Sequence, residues 1–325
     1  MKKFLKVATI ILCPLLAFLL AAGCGTPGKT PSEAAQQTAL SQPSEAPQEE
    51  YKPSAARLSC LYYDSELVDG GIAAPGNYEV EEELTAGLIP HHLLASDMIA
   101  GFFAMAAQQQ PYDAILIVSP SHFAQNCGSL VTTANVGWDT PFGRVEADGE
   151  LAAALLGDEM ADAEDNPRAV ELDHGAAGLV PFAAYYLPDT PVTVCLLSNR
   201  LSRQRLEAVR QVVRRQRQSR RVLLIASADC SHYQTPEEAA RRDQETIAAF
   251  EQMAQERILS FTDANIDSPQ AAMLLLDAAG EENANLALLD HSASWQKLPH
   301  GPQNPIYHEG VTSYLTYAVT HSSKD

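Results

Sequence analysis

Three histidines stand just beyond short apolar runs. Leu88-Ile89-Pro90 leads into His91, Ile115-Leu116-Ile117-Val118-Ser119-Pro120-Ser121 into His122, and Leu223-Leu224-Ile225-Ala226-Ser227-Ala228-Asp229-Cys230-Ser231 into His232. A neutral imidazole is the commonest protein ligand for transition metals and a ready general acid/base near neutral pH. Three imidazoles delivered to one place therefore point to a metal site, a catalytic site or both. His91 and His122 each follow a proline, with one serine intervening before His122. A divalent iron, manganese or zinc ion held by that pair wants a third donor, a carboxylate or a thiolate. Spacing alone leaves Asp139, Asp173, Asp229, Asp243, Asp263 and Asp267 open. For any one histidine the plainer role is a hydrogen-bonded loop residue.

Continuous apolar runs of this length read as strands buried on both faces. In open α/β sheets, ligands bind in the crevice beyond the carboxyl ends of the strands. The pattern predicts strands over 58–63, 113–119, 192–197, 222–227 and 311–319, and a short extended run ending at Ile89. Helical spacing covers 98–108, 150–159, 174–186, 236–257 and 268–279, with Pro236 suited to a first turn. Thr140-Pro141-Phe142-Gly143 is a turn signal. Strands alternating with helices predict an α/β fold, a three-layer αβα arrangement with a largely parallel or mixed central sheet.

The chain ahead of this domain reads differently. Met1-Lys2-Lys3 is basic, residues 7–20 are apolar, and Ala21-Ala22-Gly23-Cys24 resembles a bacterial lipobox. That resemblance implies a signal peptide over 1–23, lipidation of Cys24, and a membrane-anchored lipoprotein on the extracytoplasmic face. The apolar stretch is short for a spanning helix, which needs about 20 residues. Residues 24–54 are rich in Pro, Ser, Thr, Gln, Ala and Glu and read as a flexible tether. The remaining 55–325, about 270 residues, suit one α/β domain.

The formal charge is −19, with 41 acidic against 22 basic residues, which argues against nucleic acid as a partner. One stretch opposes the trend, since 200–221 holds nine arginines and one glutamate. It reads as a solvated helix face around Leu201, Leu206, Val209, Val212 and Val213, or as a surface for anionic lipid headgroups. Beyond Cys13 and Cys24, the cysteines Cys60, Cys127, Cys195 and Cys230 show no CxxC spacing and make no disulfide framework. Cys195, in an apolar strand, reads as a small hydrophobe.

Several motifs taken in order resemble one family. They are Ile89-Pro90-His91, Ser119-Pro120-Ser121-His122-Phe123, Thr140-Pro141-Phe142-Gly143, Leu172-Asp173-His174 with Leu179-Val180-Pro181-Phe182, Ser227-Ala228-Asp229-Cys230-Ser231-His232-Tyr233 with Asp243 on the next helix, and Val311-Thr312-Ser313-Tyr314. Together, over about 60–318, they resemble the Memo-like family, also called AmmeMemoRadiSam system protein B. The resemblance implies an αβα fold related to class III extradiol dioxygenases, in which two histidines and a carboxylate bind ferrous iron and another histidine serves as acid/base. It also raises AMMECR-like and radical SAM proteins as partners.

Memo-like proteins carry a cysteine where those dioxygenases carry the carboxylate. The matching stretch here is Asn265-Ile266-Asp267-Ser268-Pro269-Gln270, which puts Asp267 in the cysteine's place. The resemblance thus implies a metal site of His91, His122 and Asp267. Oxygen in place of sulfur favours iron(II), with manganese(II) or zinc close behind and copper less suited. Asp267 has another role open to it, as the cap of the helix beginning near Ser268-Pro269. His232 becomes the acid/base candidate with Asp229 to orient it or hold its charge, and His174 a residue of the same pocket. Two departures stand out. The family's Pro-His-Ala-Gly-Tyr is Pro90-His91-His92-Leu93-Leu94, so His92 could exchange roles with His91, and Glu-His-Ser-Leu-Glu is Asp173-His174-Gly175-Ala176-Ala177. The expected function is a metal-dependent oxidoreductase of dioxygenase type acting on an unspecified small molecule, or a metal-, small-ligand- or peptide-binding lipoprotein without turnover.

Overall fold

In the computed structural model, which describes residues 57–322, the run before His122 is a strand buried at all seven positions, Ala114–Pro120. Leu116 and Val118 join one hydrophobic core, and Ile115 and Ile117 the other. Apolar residues fill both parities of the strand because helices cover both faces of the sheet. The segments 1–23 and 24–54, with Cys24, lie outside the described residues.

Eleven strands are found among the described residues: β1 (Arg57–Ser59), β2 (Glu83–Ile89), β3 (Ala114–Pro120), β4 (Val131–Thr133), β5 (Gly137–Thr140), β6 (Gly143–Val145), β7 (Glu164–Asp165), β8 (Val192–Leu197), β9 (Val222–Ser227), β10 (Ala284–Ala293) and β11 (Ser313–His321). Eight form the central sheet in the order β10-β11-β2-β9-β3-β8-β4-β7. Its middle four, β2, β9, β3 and β8, run parallel. Antiparallel pairs flank them, β2 with β11, β11 with β10 and β8 with β4. The sheet is therefore mixed, and the fold is a three-layer αβα arrangement.

On one face pack the helices Gly149–Leu156, Arg203–Ser219, Pro236–Glu251 and Pro269–Ala279, through Leu155, Val209, Phe250 and Leu275. On the other lie Ser65–Ala73, Ser96–Ala106 and Val180–Tyr186, through Val68, Phe102 and Phe182. A smaller sheet of order β1-β5-β6 sits apart, and Gly143 makes its tight turn with φ of 126°.

The expected first strand is shorter than 58–63 and joins this small sheet rather than the main one. The helix expected over 174–186 is two helices, His174–Ala177 and Val180–Tyr186, with Gly178 closing the first. The helix expected over 236–257 stops at Glu251 and a turn reaches Gln255–Ile258. Strand β10 and helix Ser65–Ala73 carried no clear periodic signal. β10 is an edge strand whose residues are mostly half-buried or exposed, so its apolar alternation is weak.

The arginine-rich segment is the helix Arg203–Ser219, buried through Leu206, Val209, Val212 and Val213. Its charges meet acids of neighbouring elements: Arg210 with Asp277 at 2.5 Å, Arg217 with Glu281 at 2.6 Å, and Arg205 with Asp162 at 2.9 Å. Cys60, Cys127, Cys195 and Cys230 are free, with Cys195 and Cys230 buried. No helix among the described residues is long and apolar enough to cross a membrane.

Candidate metal centre

His91, His122 and Asp229 each stand two residues beyond the carboxyl end of a strand, β2, β3 and β9 respectively. Those three strands are neighbours in the order β2-β9-β3. Parallel strands end together, so the same offset past each end delivers the three side chains to one crevice. Asp267 arrives from the segment before helix Pro269–Ala279. An isolated bridge of Cys230 with Ile266 stitches that segment to the loop after β9. The Asp229 backbone N–H donates to Asp267 Oδ1 at 3.2 Å, and the Asp267 N–H donates to the Asp229 carbonyl at 3.1 Å. Ser268, rather than Asp267, caps the helix by accepting the Ala271 N–H. The Asp267 carboxylate is thus left for another task.

The two imidazoles are oriented from behind. The Nδ1–H of His122 donates to Asp173 Oδ1 at 2.9 Å, and the same carboxylate accepts the His122 backbone N–H at 2.8 Å. Ser227 Oγ donates to the Gly175 carbonyl at 2.5 Å, so it accepts from His91 Nδ1–H at 3.0 Å. Both rings therefore hold a hydrogen on Nδ1 and present Nε2 forward, the tautomer a metal needs. His91 Nε2 lies 3.3 Å and His122 Nε2 3.8 Å from one oxygen, Asp267 Oδ2. That oxygen is buried and has no hydrogen-bond partner. A buried carboxylate oxygen facing two imidazole nitrogens without a good hydrogen bond is a donor set suited to a cation.

The charges agree. Burial alone lowers the pKa of His122, but Asp173 and Asp267 overcome it and raise it to about 10. For His91, burial is likewise outweighed, by Asp229 and Asp267, and the net shift is upward. Burial would raise Asp267, yet His91, His122 and His232 hold it below the usual carboxylate range. In the metal-free protein, protons on imidazole supply the positive charge that the carboxylates demand.

The other expected site residues lie around this point. His174 begins helix His174–Ala177, 3.9 Å from the His122 ring centroid and 5.6 Å from that of His91. Burial and the neighbouring imidazoles depress it to about 2, so it is neutral, and its buried Nδ1 has no partner. Asp229 braces His91: its Oδ1 accepts the His91 N–H at 3.0 Å and its Oδ2 lies 3.5 Å from His91 Nε2. His232 acts electrostatically on Asp267, and its buried Nδ1 is also unpartnered. Asp229 thus bonds the His91 backbone, and no hydrogen bond joins it to the His232 Nδ1. His92 turns away, its Nδ1 pairing with Tyr314 Oη at 2.7 Å, which leaves His91 as the inward residue.

Asp139, Asp243 and Asp263 do not reach the cluster. Asp139 pairs with Arg57 and Arg144, and Asp263 offers its backbone carbonyl to the His232 N–H. Asp243 accepts from Ser231 Oγ at 2.7 Å and Ser313 Oγ at 2.6 Å, and it pairs with His291 at 2.7 Å. Sequence reasoning missed Ser227 as the partner of His91 and the bracing role of Asp173. The available signal was a polar residue closing an apolar strand and an acid immediately before a histidine.

A profile of the Memo-like protein family matches residues 72–299, a range that contains all six site residues. The chain belongs to the Memo-like family. A MEMO1 family protein of Pyrobaculum arsenaticum is 30% identical over 172 residues, 51% of this chain and 60% of that protein. A second, of Pyrobaculum aerophilum, is 26% identical over 220 residues, 65% of this chain and 77% of that one. The chain thus spans about 60% of the first relative's length. A crystal structure of an uncharacterized protein from Escherichia coli K12 aligns with TM-score 0.49 at 13% identity, over 72% of this chain and 99% of that one.

A relation to the class III extradiol dioxygenases is consistent with membership of the Memo-like family. The departure at Gly175 has a steric reason in this Memo-like domain. A Cβ on Gly175 would lie 2.4 Å from Ser119 Oγ and 2.7 Å from His122 Cε1. The bare glycine lets the His122 ring and the Asp173 carboxylate close on each other.

Proposed function

We propose that this Memo-like protein is a membrane-anchored lipoprotein whose domain holds a divalent metal through His91, His122 and Asp267 for dioxygenase-type oxidation of a small molecule. The observation that carries the metal reading is the buried, unpartnered Asp267 Oδ2 facing two Nε2 atoms whose Nδ1 sides are already engaged. Two nitrogens and a carboxylate oxygen suit iron(II), manganese(II) or zinc better than copper(I), and iron is our assignment. Bound there, an iron ion would supply a Lewis acid and a one-electron redox couple. His232, which acts electrostatically on Asp267 and has an unpartnered Nδ1, is our candidate to move a proton, and neutral His174 to receive a hydrogen bond or donate one. The anchor rests on the lipobox-like Ala21-Ala22-Gly23-Cys24 and the tether behind it.

The test is metal content. The full chain, purified anaerobically in detergent, should hold about one metal per chain, and His122→Ala should lose it. Absence of stoichiometric metal from the wild type, or its retention by His122→Ala, ends this reading. Consumption of catechols or other small aromatics by the iron-loaded chain supports turnover. The replaced flanks of His91 and His174 favour a second reading, a binding protein that loads metal and consumes none of them. Cys24→Ser should move the protein from the membrane fraction to the soluble one.

A further inference from the structure

His174, like His232, differs from His91, His122 and His92 in how its ring is held. His91 has Ser227, His122 has Asp173 and His92 has Tyr314 on Nδ1. His174 has no partner on its buried Nδ1. It is boxed by rings, with Tyr62 at 5.7 Å and Phe123 at 5.8 Å between centroids, besides His122 and His91. One ring nitrogen each from His91, His122 and His174 lies within 4.8 Å of the others, a separation that a single ion can bridge, while Asp267 forms a second such group with His91 and Asp229, the two groups sharing His91. Helix His174–Ala177 is anchored independently, because Asp173 accepts the Gly175 N–H at 3.0 Å and the Ala177 N–H bonds the Asp173 carbonyl at 2.9 Å. The ring therefore does not serve to fix its own helix.

We propose that His174 is a fourth protein donor, so that the ion assigned above is held by three histidines and one carboxylate. This rests on the metal reading of the preceding subsection and narrows it. A six-coordinate ion with four protein donors keeps two positions for other ligands, where a two-histidine, one-carboxylate set keeps three. Two such positions would take either one chelating ligand, such as a catecholate, or a single anionic oxygen with a small ligand beside it.

Pulsed EPR of the full chain in detergent, loaded with copper(II) alone as a probe, counts the coordinated imidazoles. The wild type should show three, and His174→Gln two. Cobalt(II) affinity should fall ~10–100-fold in His174→Gln and in His174→Ala, as expected for loss of one donor or its support. Two imidazoles in the wild type would overturn the proposal even if the variants fail to fold, and so would unchanged cobalt affinity in folded variants. A wild type that binds metal in a His122-dependent way with two imidazoles leaves the preceding reading standing and removes only this one. A wild type that binds no metal removes both.

Discussion

At the scale of single residues, the site depends on carboxylates and hydroxyls behind the histidines as much as on the histidines. Asp173 takes both the backbone N–H and the Nδ1–H of His122, so it sets where Nε2 points. Asp173→Asn keeps the shape but loses a charged acceptor. We expect metal affinity to fall ~10–100-fold, read by competition with a chromophoric chelator. Gly175 tests the opposite limit, since any side chain there meets Ser119 Oγ at 2.4 Å. Gly175→Ser should cost about 1–3 kcal/mol of stability by overpacking, measured by denaturant melts, and displace the His122 ring. That His91 and His122 matter was legible from their place after apolar runs. The dependence of His122 on Asp173 was not, because an acid immediately before His174 signals that histidine and does not name a partner 51 positions away.

At the scale of elements, the layers are held by apolar faces and joined by ion pairs at their rims. Helices Arg203–Ser219 and Pro269–Ala279 pack on the same face of the sheet, and Arg210 spans them to Asp277 with contacts of 2.7 and 2.5 Å. Both side chains are about 15% exposed, at 15% and 14%. A pair this sheltered lies between the exposed and buried limits, so Asp277→Ala should cost about 1–3 kcal/mol. The loss should persist in high salt, and a thermal melt at two ionic strengths checks it. An effect within error of zero would place Arg210 among ordinary solvated charges. The parallel strands were legible because a strand covered on both faces must be apolar at every position, as β3 and β9 are. The antiparallel edge strand β10 was not, because a strand exposed along much of its length is under little compositional constraint. The break between His174–Ala177 and Val180–Tyr186 also escaped, since Gly, Ala and aromatic residues suit either one helix or two.

At the scale of the whole molecule, protonation and metal compete for the same carboxylates. His122, raised to about 10, adds stability to the metal-free fold that is full below its ordinary value of 6.5 and fades as pH climbs through 10. Asp267, held low, adds stability that is present above 3.8 and lost on acidification. His174, depressed to about 2, makes the fold less stable as pH falls below 6.5, because the unfolded chain takes up a proton that the folded one refuses. A metal must displace the His122 proton, so its affinity should rise about tenfold per pH unit on the way to pH 10. The metal-induced increase in Tm should therefore be larger at pH 9 than at pH 6, and calorimetry in buffers of different ionisation enthalpy should record proton release. No proton release near neutral pH would mean that His122 does not carry the displaced charge.

What the sequence determined by itself was the α/β architecture and the carboxyl edge at which its histidines would gather. Continuous apolar runs admit few other arrangements, and His91 and His122 each stand two residues beyond one. What tertiary structure decided was which acid faces them. Asp173, Asp229 and Asp267 all lie near the crevice; the His122 N–H and Nδ1–H claim Asp173, the His91 N–H claims Asp229 Oδ1, and Asp267 Oδ2 is the oxygen that lies buried without a partner and faces both His91 and His122. That choice depends on hydrogen bonds between segments 38 to 138 residues apart, which no local pattern encodes.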